Sequence, residues 1–98
     1  MPKSRQPREV WLKTRRKVWE RDGGLCQYPY GKHPVSLEAA HIDHIRSGKH
    51  GTNDLSNLRT LCRYHHVLRA DLRHRGMIAK ALEEGLIPPN WRELIWDD

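Results

Sequence analysis

Apolar side chains are scarce in this sequence, and the scarcity limits what it can fold into before any motif is read. Of 98 residues, 37% are apolar and none is phenylalanine, so four tryptophans carry much of the apolar bulk. A chain this short buries a modest fraction of its surface, and one compact domain with a thin core is the expectation. Such a chain needs a staple, from a bound metal or from a partner subunit.

Charge narrows the partner. Eighteen Lys and Arg stand against twelve Asp and Glu, giving a formal net charge of +6 and a pI near 9.7. That balance points to a polyanion, most economically nucleic acid. Arginine outnumbers lysine, and guanidinium forks suit phosphate oxygens better than ammonium groups do. The N-terminal MPKSRQPREV has no apolar signal-like region, and no apolar run is long enough to span a bilayer. The expectation is a cytoplasmic protein with no membrane partner. In that compartment Cys26 and Cys62 are expected as thiols or metal ligands rather than as a disulfide.

Residues 1–8 are basic, contain two prolines and read as a flexible arm. Glu9 to Arg21 has helical spacing: Val10, Trp11, Thr14, Val18 and Trp19 fall near one stripe, and Lys13, Arg15, Arg16 and Lys17 face elsewhere. That basic face is either a solvated surface or a phosphate contact. Asp22-Gly23-Gly24 ends the helix. Residues 25–36 read as loop, because Pro29, Gly31 and Pro34 interrupt any regular element. Leu37 to Ile45 alternates as a short strand, followed by a loop that opens with the turn-rich, basic RSGKHGTND and hides a second strand, and Asp54 is placed to cap a short turn. Two helices are expected from Leu61 onward, broken near Arg73–Gly76 and ended by Gly85 before Pro88-Pro89. Asn90 and Glu93 have capping-box spacing at the start of a last helix.

One constellation carries chemistry. Asp43-His44 is followed thirteen residues later by Asn57, and Asn57 nine residues later by His66, within NLRTLCRYHH. This resembles the HNH endonuclease signature, an Asp-His or His-His pair followed by Asn-Leu-x-x-Leu-Cys-x-x-Cys-His. Asn57, Leu58, Leu61, Cys62 and His66 match it, and His65 stands where the family's penultimate Cys would be. The leader REVWLKTRRKVWERDGGLC resembles the basic helix, Arg-Asp-Gly and Cys that precede the signature in many small HNH proteins. The resemblance runs from about Arg8 to Asp71. The segment GLIPPNWRELIW resembles small HNH proteins of tailed phages and prophages, which implies a phage-infected or lysogenic bacterial cell and genome packaging beside a terminase.

The resemblance implies a fold and a reaction. The fold is α+β and mainly helical, with a ββα-metal core and flanking N- and C-terminal helices: one HNH domain over 1–98, made of the 1–8 arm, a 9–72 core with its leader helix, and a 73–98 helical extension. The reaction is metal-dependent hydrolysis of DNA phosphodiester bonds, as a nick or a double-strand cut. Asp43 and His66 are implied as ligands of one divalent cation, His44 as the base that activates water, and Asn57 as the brace of the loop that fixes this base. The chemistry of the residues agrees. Asp43 is a hard oxygen ligand suited to Mg²⁺ or Mn²⁺, and His66 admits Mn²⁺, Ni²⁺ or Zn²⁺ as well. His44 is adjacent to Asp43, so on a strand it faces the other side of the pleat and can meet a water. Imidazole is the side chain for proton transfer near neutral pH. With His41 as base, the preceding residue would be Ala40, which binds no metal. His41 itself is left as a brace, a phosphate contact, an accessory ligand or a structural histidine.

A second metal is also implied. Many HNH proteins tie the leader to the helix through two Cys-x-x-Cys pairs on zinc. Here the pairs become Cys62-x-x-His65 and Cys26 with His33, because Pro29 stands where the other cysteine would be. A Cys26/His33/Cys62/His65 zinc site and a metal-free cluster of the same residues both remain open. Arg46, Lys49, His50, Arg59, Arg63 and Arg69 form the candidate DNA-contacting group, and nothing resembles a base-reading helix. The alternative functional reading is a non-catalytic, zinc-stapled DNA-binding module; a Trp-rich tail that engages another protein is a third.

Overall fold

In the computed structural model, described over residues 7–46, 52–70 and 75–97, the chain divides into two compact units, Met1–Cys62 and Arg63–Asp98. The fold is α+β. Among the described residues it has three α-helices and two antiparallel hairpins.

The first unit begins with α1, Arg8–Arg21, set off by Pro7, whose carbonyl accepts from the Trp11 N–H (2.9 Å). Pro7 suits the first turn because its missing N–H would have no helical partner there. The helix stops where expected. Gly23 and Gly24 take φ of +67° and +69°, and the Gly24 N–H returns to the Trp19 carbonyl (2.9 Å). A Cβ at Gly24 would also sit 3.1 Å from the Trp19 ring, so glycine is required there for space as well as for φ.

Two strands then form inside the segment expected as loop. β1, Leu25–Cys26, pairs with β2, His33–Pro34, with Cys26 opposite His33. The prolines and Gly31 hold these strands to two residues each, and Pro34 is tolerated because it lies on an edge. The next strand is also shorter than expected. β3 covers His41–His44, and Leu37 to Ala40 turns instead, with Ala39 N–H bonded to Ser36 and Ala40 N–H to the Leu37 carbonyl. Arg15 fixes that turn from α1: its Nη2 donates to the carbonyls of Leu37 and of Ala40 (2.9 Å). The hidden strand is β4, Leu58–Leu61, antiparallel to β3 with Asp43 opposite Arg59 and His44 opposite Leu58. The helix expected from Leu61 therefore starts later, because Leu61 closes this strand.

α1 packs on β4, and β1 lies beside it. Asp22 accepts from the Thr60 N–H (2.9 Å), and the Thr60 carbonyl accepts from the Gln27 N–H (2.8 Å). Val18, Cys26, Ala40, Leu58 and Leu61 are buried. Burying a Val or Leu side chain contributes about 1.5–3 kcal/mol, so few residues carry this thin core.

The second unit contains α2, Arg63–Val67, and α3, Arg75–Glu83. Gly85, at φ +74°, ends α3, and the Leu86 N–H returns to the Ala81 carbonyl (2.9 Å). The expected last helix is only a 3-10 turn, Trp91–Leu94. Asn90 does not cap its backbone; its Nδ2 donates to the Glu93 carboxylate instead (3.0 Å). The chain then extends so that Trp96 bridges to Arg69 in parallel and its indole Nε1 donates to the His65 carbonyl (2.7 Å). Val67, Leu68, Ile78, Ala81, Ile87 and Trp96 are buried. No helix among the described residues is long and apolar enough to cross a membrane.

Candidate active site and metal-binding group

Strand β3 places Asp43 and His44 on opposite faces of one hairpin, as neighbours on a pleated strand must be. Asp43 is buried, 2% exposed, and its Oδ2 accepts from Arg59 Nε across the hairpin at 2.9 Å. Register explains the contact: directly opposed residues of an antiparallel pair share a face. A carboxylate so deeply buried needs a cationic or hydrogen-bonding partner, and Arg59, 11% exposed, provides one. His41 shares the Asp43 face by alternation and lies opposite Leu61.

His44 is half-buried and held on two sides. Its Nε2 lies 2.9 Å from Asn53 Oδ1. An amide oxygen only accepts, so in this orientation Nε2 carries the proton and Nδ1 is the basic nitrogen. The imidazole is stacked on the Trp11 indole, with ring centroids 6.0 Å apart and planes within 2°. Neither Asn53 nor Trp11 was singled out from sequence for this purpose. Trp11 could be read only as part of the apolar stripe of α1, and Asn53 only as a turn residue.

Asn57 ties the loop ends together. Its Oδ1 accepts from the Arg46 N–H (2.8 Å), and its Nδ2 donates to the carbonyls of Arg46 (2.9 Å) and Thr52 (2.8 Å). Its own carbonyl accepts from the Ile45 N–H, one residue after His44 (2.9 Å). Asp54 precedes the 3-10 turn Leu55–Asn57, and its carbonyl accepts from the Asn57 N–H (2.8 Å). Its side chain takes the Thr52 hydroxyl (3.0 Å) rather than capping that turn. His66 lies on α2, in the second unit.

The described residues include a Cys/His group that could hold a metal ion, made of Cys26, His33, Cys62 and His65. Within the first unit, the ligand atoms of Cys26, His33 and Cys62 lie within 4.8 Å of one another. Pairing of β1 with β2 sets Cys26 opposite His33, and the Cys62 N–H donates to Cys26 Sγ (3.2 Å). His65 follows Cys62 by three residues, on the first turn of α2. Both cysteines are thiols. Two sulfur and two imidazole donors make a set suited to a borderline-soft ion such as Zn²⁺, whereas the Asp43 carboxylate suits a harder one.

The basic residues separate into kinds. Arg46 is exposed. Arg59 is engaged by Asp43, and Arg63 by Glu84. Arg69 is half-buried, with its backbone bridged to Trp96. Lys49 and His50 lie outside the described residues. On α1, Lys13, Arg16 and Lys17 are exposed, but Arg15 and Arg21 are structural. Arg21 donates to the carbonyls of Leu55 and Leu58, each at 2.6 Å, as Arg15 does to the turn before β3.

Residues 25–70 match the family model described as HNH endonuclease. The chain carries an HNH domain. The matched segment contains β3, β4 and α2 in the ββα order of that fold. Nuclease activity, dependence on a metal and DNA as substrate class are the properties the family suggests for this HNH domain. Neither the curated proteins nor the solved structures gave a match to this chain.

Proposed function

We propose that this protein is a metal-dependent endonuclease that hydrolyses DNA phosphodiester bonds, with His44 as the general base. The observation that carries the reading is the hold on His44: Asn53 sets its tautomer, Trp11 sets its plane, and Asn57 ties the strand and loop behind it. A base restrained this way is poised to take a proton from water at Nδ1, which is the service phosphodiester hydrolysis requires. Asp43 and His66 are the residues that would hold the divalent cation, Mg²⁺, Mn²⁺ or Ni²⁺. Such an ion supplies charge neutralisation at the phosphate and stabilises the leaving oxygen. The carboxylate fits this role by its chemistry, provided that Arg59 yields it.

We further assign Cys26, His33, Cys62 and His65 to a structural Zn²⁺, and His66 follows immediately on the same helix. Zinc here would be a staple for a chain with little core. Arg46 and the exposed cations of α1 are assigned to backbone phosphates. The setting proposed is the cytoplasm of a bacterial host.

The second reading, a zinc-stapled DNA-binding module without catalysis, has one observation in its favour. Asp43 is already neutralised by Arg59. Nicking of supercoiled plasmid, with and without EDTA, tests the proposal. Metal-dependent nicking supports the nuclease; binding without cleavage over Mg²⁺, Mn²⁺ and Ni²⁺ supports the module.

A further inference from the structure

The Asp43–Arg59 pair is a feature that a simple ligand role for Asp43 leaves unexplained. A cation ligand in this position would ordinarily be surrounded by groups that leave its charge available. Here a guanidinium lies 2.9 Å away, directly across the hairpin, on a carboxylate that is 2% exposed. The pair is locally neutral, and neutrality is what allows it to be buried. A second, divalent positive charge on the same carboxylate would face Arg59 with almost no intervening water. Arg59 and the cation are therefore antagonists for Asp43.

Arg59 is also the kind of group that DNA attracts. A guanidinium forms two parallel hydrogen bonds with a phosphate as readily as with a carboxylate. It is not sealed in, with 11% of its side chain exposed, and its long side chain can swing while its strand stays paired. Hence we infer that Arg59 couples the two ligands of the site. In the metal-free protein it is the counter-ion of Asp43, and a DNA phosphate draws it off so that Asp43 can accept a divalent cation. By reciprocity, metal tightens DNA by the same factor as DNA tightens metal. The consequence is an enzyme that loads its hard cation mainly when substrate is present. This inference rests on the assignment of Asp43 as a metal ligand.

The test is calorimetric titration of Mn²⁺ into the full-length, zinc-loaded protein, in a His44→Ala background that prevents cleavage. It is run with and without a short DNA duplex. Without DNA, Arg59→Gln should bind Mn²⁺ about 10-fold more tightly or better, the scale on which one close charge shifts an ionic equilibrium. The duplex should tighten Mn²⁺ binding by about 10-fold more when Arg59 is present than in Arg59→Gln, where only the phosphate's own contact with the ion remains. Equal Mn²⁺ affinity with Arg or Gln at 59, or equal tightening by DNA in both, overturns the inference. Should Arg59→Gln fail to fold, the protein that retains Arg59 still decides the matter, since Mn²⁺ affinity indifferent to DNA overturns it. Asp43→Asn separates the two claims. If it binds Mn²⁺ unchanged, the ligand assignment falls and the coupling falls with it. If it abolishes binding while Arg59→Gln has no effect, only the coupling falls.

Discussion

The side chain of Asn57 grips the backbone of Arg46 at both ends, accepting from its N–H at 2.8 Å and donating to its carbonyl at 2.9 Å. A third bond, to the Thr52 carbonyl at 2.8 Å, closes the other side of the loop. Asparagine is suited to this because one planar amide offers an acceptor and two donors on a short stem. Asp would keep the acceptor and lose both donors; Gln would place the amide about one bond too far.

Replacing Asn57 should therefore cost stability and activity together. Three hydrogen bonds at about 1 kcal/mol each, discounted for partial exposure, give a loss of about 2 kcal/mol for Asn57→Ala. Thermal unfolding checks this: a chain this size should lose roughly 8–16 °C in Tm. Asn57→Asp should fall between parent and Ala. An unchanged Tm for Asn57→Ala would remove the brace from the account.

Asn53 should matter for rate more than for folding. It offers one hydrogen bond to His44 Nε2, and loss of one such bond is worth about a factor of ten. Asn53→Leu should reduce plasmid cleavage by about that factor while Tm falls by less than it does for Asn57→Ala. A rate equal to the parent's would mean that the tautomer of His44 is set by something else.

These two asparagines mark the limit of what could be read in advance. Asn57 was legible because the family signature fixes its distance from His44 and from Cys62. Asn53 has no fixed place in that signature, and turn composition gives it no distinction from its neighbours. Trp11 looked like core because helical periodicity finds buried stripes and cannot tell an indole that meets aliphatic groups from one that meets an imidazole. Likewise the ion pair of Arg59 with Asp43 was not legible, because register sets the two opposite each other and register is a property of two strands together. The short strands β1 and β2 were missed for a similar reason: two residues give no alternation, while Pro and Gly dominate the local signal. The Cys26, His33, Cys62 and His65 set was legible through the resemblance, whose two cysteine pairs fall on Cys26 and on Cys62-x-x-His65, with His33 the substitute ligand on the loop that Pro29 interrupts.

For that set the expected outcome concerns metal content. Protein as purified should contain about one tightly held zinc. Cys62→Ser should lower zinc content, Tm and cleavage together, because the staple of the thin core is lost rather than any step of chemistry. Metal analysis that finds no zinc, or a Cys62→Ser protein as stable as the parent, would leave Cys26 and Cys62 as thiols in an apolar setting.

Arg15 offers a structural control. Its guanidinium reaches from α1 to the carbonyls of Leu37 and Ala40, just before β3. Arg15→Lys keeps the charge and loses the fork, so it should lower Tm while leaving the salt dependence of DNA binding unchanged. Arg16→Gln, at an exposed position, should do the reverse. Binding isotherms over a range of NaCl read the difference.

The central claim is that His44 is the base of a nuclease. The most direct measurement is the single-turnover rate of plasmid nicking by His44→Ala and His41→Ala, each at saturating Mn²⁺, with Mn²⁺ binding followed by calorimetry on the same samples. His44→Ala should be slower by about 10² to 10⁴ with Mn²⁺ binding retained, and His41→Ala should keep measurable cutting. Normal nicking by His44→Ala, with His41→Ala inactive, would contradict the assignment and place the base two residues earlier on β3.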